Sequence, residues 1–435
     1  MERFALSRMK EWKENENRKP LIIRGARQVG KTWIMKTFGQ QYFEKTAYVN
    51  FDNNARMKQV FEGDLDIERL VLAISAETGV SIEAENTLII FDEIQEVPKA
   101  LTSLKYFHEN APQYAIVAAG SLLGVALHQG TSFPVGKVDF LDLYPLNFRE
   151  FLCAMGEKQF VSMLDSCDTQ MVTVFKTKYI ERLREYYFVG GMPEVVKDFS
   201  EKKDYNRVRA IQKNLINYYQ QDFSKHAEIK LVPRLNLVWN SIPMQLAKEN
   251  KKYIYGQVRE GSRAKDFELA IQWLLDCGLI HKVQRIQKPD HPLKAYIDFD
   301  AFKLFLVDIG LLIAMTDLDA KVIIEGNKIF TEFKGSLTEQ YILQQLISDV
   351  GVIPYYYSTQ NSKGEIDFLV QGKTSVIPIE VKAEENLKAK SLKAFCEKYQ
   401  PSYAVRTSMS DYREQDWMTN IPLYAIKWIE NYVNQ

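Results

Sequence analysis

Short apolar runs alternate with stretches of helical periodicity along the amino-terminal third of the chain. Phe4, Leu6, Met9 and Trp12 share a face at helical spacing and predict an opening helix that ends before Pro20. Leu21, Ile22 and Ile23 then read as a strand, and Trp33, Ile34, Met35 and Phe38 as a helix packed on a sheet. Ala47 to Phe51, Thr87 to Glu93 and Tyr114 to Ala119 predict further strands. The run at 87–93 is apolar enough to be a parallel strand buried on both faces. This alternation predicts an α/β fold to about residue 155.

Beyond that point the pattern turns helical to about residue 229, interrupted at FVGGMPEVVKDF, where Gly190, Gly191 and Pro193 predict a turn before a new helix. From 230 to about 316, Leu235, Val238, Trp239 and Leu246 suit one helix. Phe267, Leu269, Ala270, Trp273, Leu274 and Leu275 suit a second, stopped by Cys277 and Gly278. With strands at GLIHKVQRI and PLKAYIDF the segment reads as a winged helix-turn-helix. Ser262, Arg263 and Lys265 stand at the start of the second helix, where such modules read DNA; packing between domains or against a protein partner is the equal alternative. Gly326 to Gly335 read as a linker. A helix (Leu337 to Val350), strands at Ile353–Tyr357, Glu365–Val370 and Val376–Lys382, a helix near Leu387–Tyr399 and a strand at Tyr403–Arg406 follow. The resulting segments are 1–155, 156–229, 230–325 and 326–435.

Composition changes this picture mainly by exclusion. With 435 residues, 46% apolar and 26% charged, several cores can form. Lys plus Arg and Asp plus Glu are equal at 56, so any nucleic-acid surface must be local. Cys153, Cys167, Cys277 and Cys396 form no C-x-x-C pair, which argues against zinc and against a disulfide framework. No secretory h-region and no run of 18 apolar residues occur, so a cytoplasmic protein without a transmembrane segment is expected, leaving room for a peripheral membrane role. His281 and His291 read as surface residues with no partner at metal spacing.

Three polar constellations carry chemistry. Gly25, Ala26, Arg27, Gln28, Val29, Gly30, Lys31 and Thr32 spell G-x-x-x-x-G-K-[ST] after a strand. In this P-loop, backbone N–H groups and a helix N-terminus surround phosphate, Lys31 reaches the β/γ-phosphates and the Thr32 hydroxyl ligates Mg²⁺; Trp33 is the first residue beyond it. Asp92 and Glu93 close the strand 87–93 at its carboxyl end. There Asp92 would hold Mg²⁺ and Glu93 would polarise the water attacking the γ-phosphate of ATP. In the last segment Asp367, Glu380 and Lys382 form D-x12-E-x-K across adjacent strands, and Glu339 could complete an acidic cluster. Two carboxylates can ligate Mg²⁺ while a lysine orients a water against a phosphodiester; a solvated Glu–Lys pair is the structural alternative.

RGARQVGKT, IIFDEIQEVP, AAGSLLG and FPVGKVDFLDLYPLNFREF resemble, in order, the landmarks of an archaeal and bacterial branch of AAA+ ATPases. The resemblance implies a five-stranded parallel sheet with the P-loop strand central, and ATP as ligand. It places Ser121 as a sensor of the γ-phosphate, although a helix N-cap explains that serine as well. Lys137 stands where many relatives carry Arg, which leaves the arginine finger open, with Arg149 a weak candidate. GGMPE and NYYQQDFSKH are similar to landmarks of a carboxyl-terminal domain of unknown function in the same branch. The order helix, three strands, helix, strand after residue 336 resembles restriction-endonuclease-like (PD-(D/E)XK) nucleases. Two functions follow as expectations: a Mg²⁺-dependent ATPase controlling a lobe that processes DNA or RNA, or an ATP-driven switch whose lobe docks a protein partner or a second copy and cuts nothing.

Overall fold

A computed structural model describes residues 1–120, 134–248, 251–324, 331–359, 364–383 and 389–435. The described residues form two compact units, one of Glu2–Tyr144 with Asp276–Leu279, the other of Pro145–Leu275 with Ile280–Gln435.

The first unit is α/β. Strands β1 (Leu21–Arg24), β2 (Lys45–Asn50), β3 (Thr87–Asp92), β4 (Ala115–Ala119) and β5 (Asp139–Asp142) make a wholly parallel sheet in the order β2-β3-β4-β1-β5. The P-loop strand β1 is therefore interior but not central: the middle place belongs to β4, because β1 pairs with β4 on one side and with β5 on the other. Strand alternation sends Ala47, Val49 and Phe51 inward, where Phe51, Phe61 and Phe91 meet edge to face. Tyr48 consequently points to the opposite face of β2. On the helix Lys31–Tyr42, Ile34, Met35 and Phe38 are fully buried as their spacing predicts, whereas Trp33 is 41% exposed. It lies off the apolar stripe and does not pack on the sheet.

The second unit begins with helices, among them Lys176–Val189, Pro193–Lys202 and Tyr205–His226. The GGMPE turn is explained by close approach. A Cβ on Gly191 would lie 2.1 Å from the Leu146 carbonyl oxygen, and one on Gly190 (φ +74°) would lie 2.2 Å from Asp308 Oδ1. Asp308 caps the helix Ile309–Met315 through Leu311 N–H, accepts from Gly191 N–H at 2.6 Å and from Gln344 Nε2 at 3.3 Å, and is fully buried. Burial pushes its carboxyl up to about 6 against these donors.

Helices Val232–Leu246 and Ala264–Asp276 form where the periodicity predicts, and Phe223 meets Trp239 and Trp273 edge to face. Leu269 departs from its expected place in that core and is 69% exposed. Strands β6 (Ile280–Ile286) and β7 (Ile297–Leu306) pair antiparallel; the second starts only after a short 3₁₀ turn, Leu293–Tyr296. His281 is half-buried rather than superficial, and burial pushes its imidazole down to about 4.

β6 also pairs in parallel with β8 (Tyr355–Ser358), so the hairpin belongs to one sheet with β9 (Glu365–Gln371), β10 (Val376–Val381), β11 (Val405–Ser408), β12 (Arg413–Gln415) and β13 (Met418–Pro422). Its order is β12-β13-β11-β10-β9-β8-β6-β7. The expected boundary at 325/326 falls outside the described residues, and the strands on either side of it share this sheet. Part of the expected linker is already helical: Thr331–Gln345 continues into a π-helical turn, Leu346–Val350. Helix Lys390–Tyr399 connects the parallel pair β10 and β11. Among the described residues no helix is long and apolar enough to cross a membrane.

Candidate functional site

The P-loop turns through conformations that its sequence supplies. Gly25 (φ +147°) sits where a Cβ would come within 2.1 Å of the Leu143 carbonyl oxygen, and Gly30 (φ +94°) opens the helix Lys31–Tyr42 from the left-handed region. Gln28 also has positive φ, at +65°. Ala26 and Val29 are buried, and Arg3 of the amino-terminal segment donates to the Val29 carbonyl at 3.1 Å. Sequence reasoning missed Arg3; a buried arginine needs acceptors, but nothing in MERFALS says that the loop supplies one.

Lys31 is buried, and its ammonium donates to the Gly25 and Ala26 carbonyls at 2.9 and 2.8 Å. Burial pushes it down to about 8, against the pull of Glu93 and Asp92. Thr32 Oγ1 donates to Asp92 Oδ2 at 2.7 Å, so the two expected metal ligands converge. Asp92 is itself buried at the end of β3 and takes Glu93 N–H on Oδ1 at 3.1 Å. Glu93 has positive φ (+51°), and its Oε2 accepts from Gln95 Nε2 at 2.7 Å.

A further residue joins this group. Tyr48 donates its hydroxyl to Asp92 Oδ2 at 2.9 Å, and Lys36 Nζ lies 3.8 Å from the Tyr48 ring centroid. Burial, then the neighbouring Asp92, raises the Tyr48 phenol above its ordinary value. The signal was present in the alternation of AYVNF, which leaves Tyr48 the one large side chain pointing away from the core.

The other expected ATPase residues are less engaged. Ser121 lies outside the described residues. Lys137 is paired with Glu109 at 2.9 Å. Arg149 belongs to the second unit, where Asp349 holds it at 3.0 Å and Asp165 closes on it as well. As the arginine-finger candidate it is already committed to a structural pair.

The third constellation forms differently from its expectation. Glu380 and Lys382 do face the same way, 2.6 Å apart, and Glu380 Oε2 accepts from Leu392 N–H at 3.3 Å. Asp367 Oδ2 accepts from Val381 N–H at 2.7 Å across the β9–β10 hairpin. Burial, helped by the Glu339 charge, pushes the Asp367 carboxyl up to about 7. Glu339 is buried but ion-paired: Lys251 closes on Oε1, and Lys303 Nζ lies 3.7 Å from Oε2. Lys303 also closes on Glu365. Burial raises the Glu339 carboxyl, and Lys251 and Lys303 more than offset it, leaving it below its ordinary value. Glu339 Oε2 is left without a hydrogen bond, but a lysine ammonium stands beside it, and among the described residues no three His, Cys, Asp or Glu side chains group as metal ligands. The residues present do not fit a catalytic Mg²⁺ here. Arg263 and Lys265 are exposed at the start of the helix Ala264–Asp276, and Ser262 is partly so.

Residues 17–152 match the family model described as an AAA domain. Residues 180–322 and 334–426 match two models described as domains of unknown function, DUF8612 and DUF4143. No curated protein matches the chain. Among solved structures, the Walker-type ATPase PABY2304 of Pyrococcus abyssi is 15% identical with a TM-score of 0.44, over 72% of this chain and 95% of that one. The Aeropyrum pernix ORC1 protein in complex with DNA is 14% identical with a TM-score of 0.27, over 72% and 91%. The RuvB Holliday junction branch migration motor of Thermotoga maritima is 12% identical with a TM-score of 0.28, over 64% and 87%. All three superpose loosely, so it is the match over 17–152 that places the first unit among AAA-type P-loop domains.

Proposed function

We propose that the protein is a Mg²⁺-dependent ATPase acting as a switch, whose nucleotide state governs a second unit that binds a partner and does not cut it. The observation that carries the reading is the convergence of Thr32 and Asp92 beneath a loop that buries Lys31. The loop amides and Lys31 would hold the phosphates, with the ammonium exchanging the Gly25 and Ala26 carbonyls for phosphate oxygens. Thr32 and Asp92 would hold Mg²⁺, which when bound supplies positive charge to the β- and γ-phosphate oxygens. Glu93, steadied by Gln95, is the residue to orient and deprotonate the water.

Calorimetry with ATP and Mg²⁺, alongside phosphate release, tests this directly. Binding without turnover in Glu93→Gln is the expected result, and normal hydrolysis by that variant overturns the assignment of Glu93. For the second unit, exposed Arg263 and Lys265 favour DNA as the partner. The engaged carboxylates favour docking over cleavage. Labelled DNA or RNA incubated with Mg²⁺ or Mn²⁺ and ATP should stay intact; cleavage abolished by Asp367→Ala would restore the nuclease reading.

A further inference from the structure

The acidic cluster of the large sheet contains its own cations. Lys303 interrupts an otherwise apolar stretch of β7, Phe302 to Leu306, and is only 1% exposed. Its ammonium reaches Glu365 and Glu339 and lies 4.8 Å from the Tyr356 ring centroid. Lys251 takes the other oxygen of Glu339 and is largely covered. Both lysines come from the chain before residue 322, whereas Glu339, Glu365 and Asp367 come from the segment after 334.

A divalent ion needs several carboxylate or carbonyl oxygens at about 2.0 to 2.6 Å, with no cation nearer than itself. Here Lys251 closes on Glu339 Oε1 and Lys303 on Glu365 Oε1, and Lys303 Nζ stands 3.7 Å from Glu339 Oε2, which takes no hydrogen bond; two lysines thus match Glu339 and Glu365 charge for charge, while Asp367 is held by Val381 N–H. Buried carboxylates without a counter-charge are strongly unfavourable, so some cation is obligatory in this sheet.

We infer that Lys251 and Lys303 are the resident cations of this cluster, standing where a divalent ion would otherwise be required. Wild-type protein then binds no divalent metal between Glu339, Glu365 and Asp367, and removal of Lys303 exposes a latent metal site. The inference is independent of ATP binding.

Mn²⁺ titration of the nucleotide-free protein, followed by the paramagnetic resonance of free Mn²⁺, tests it. Wild type and Asp367→Asn should bind equal amounts, since any ion at the P-loop is common to both. Lys303→Met should gain one Mn²⁺ per chain that wild type does not bind, and adding Asp367→Asn should abolish the gain. An ion bound by wild type and lost in Asp367→Asn overturns the inference, as does a folded Lys303→Met protein that gains none. Should Lys303→Met fail to fold, the comparison of wild type with Asp367→Asn still decides.

Discussion

Buried lysines lie near buried carboxylates both at the P-loop and in the large sheet, and the two sites are built in opposite ways. At the P-loop, Lys31 rests on carbonyl oxygens and Asp92 on the hydroxyls of Thr32 and Tyr48, so each charge has neutral partners. In the large sheet, Lys251 and Lys303 lie directly on Glu339 and Glu365. A hydrogen bond from a charged group to a neutral partner is exchanged for a ligand at a net cost of about 1.5 to 3 kcal/mol, whereas breaking a buried ion pair costs about 3 to 5. Residue types and burial are alike; the partners decide which group is available for chemistry.

The comparison breaks first at turnover. Glu93→Gln should lower ATP hydrolysis by roughly 10² to 10⁴-fold while nucleotide affinity holds, and Lys31→Ala should weaken affinity itself; phosphate release and calorimetry separate the two. Next comes the buried pair. Glu339→Ala leaves Lys303 and Lys251 short of counter-charge and should destabilise the second unit by about 3 to 5 kcal/mol in urea unfolding. Asp142→Asn, which removes the half-exposed partner of Arg24 in the first unit, should cost under about 1 kcal/mol.

Asp308 gives a pH-dependent effect smaller than that of Glu339→Ala. Its folded value of about 6 lies above that of the unfolded chain, so its contribution to stability is full below about pH 4 and is lost as pH rises through 6. Relative to Asp308→Asn, wild type should gain on the order of 2 to 3 kcal/mol between pH 7 and pH 4, read from urea midpoints. Equal midpoint shifts in both proteins would remove Asp308 as the titrating group. Tyr48→Phe frees one bond on Asp92 and should weaken Mg²⁺–ATP binding tenfold or less, with little change in binding of ATP alone.

How far the sequence could be read depended on how local each constraint is. The loop Gly25–Thr32 and the pair Asp92–Glu93 were legible because one contiguous motif fixes both backbone and chemistry. Strands β6, β8, β9, β10 and β11 were legible within about two residues from apolar runs, but β7 begins well after its expected start, β12 and β13 were not foreseen, and the extent of the sheet was not legible. The pairing of β6 with β8 joins residues some seventy apart, and no periodicity encodes that register. The state of the acidic cluster was hidden for the same reason. D-x12-E-x-K is visible in the chain, while the lysines that fill it come from elsewhere. Lys303 did leave a trace, since a lone charge in AFKLFL must find a counter-charge once buried. GGMPE was recognisable as a turn, but Asp308 and the Leu146 carbonyl, which forbid any larger residue, appear only in three dimensions.

The shared sheet also says where the chain can be divided for experiment. A fragment starting at residue 326 would keep Glu339 and Glu365 but lose Lys251 and Lys303, and would bare the edge of β8 to any passing strand. Such a piece should precipitate or fold poorly, and its failure would say nothing about what the intact protein does. A cut between residues 144 and 145 leaves each sheet whole, although it parts Asp276–Leu279 from the first unit.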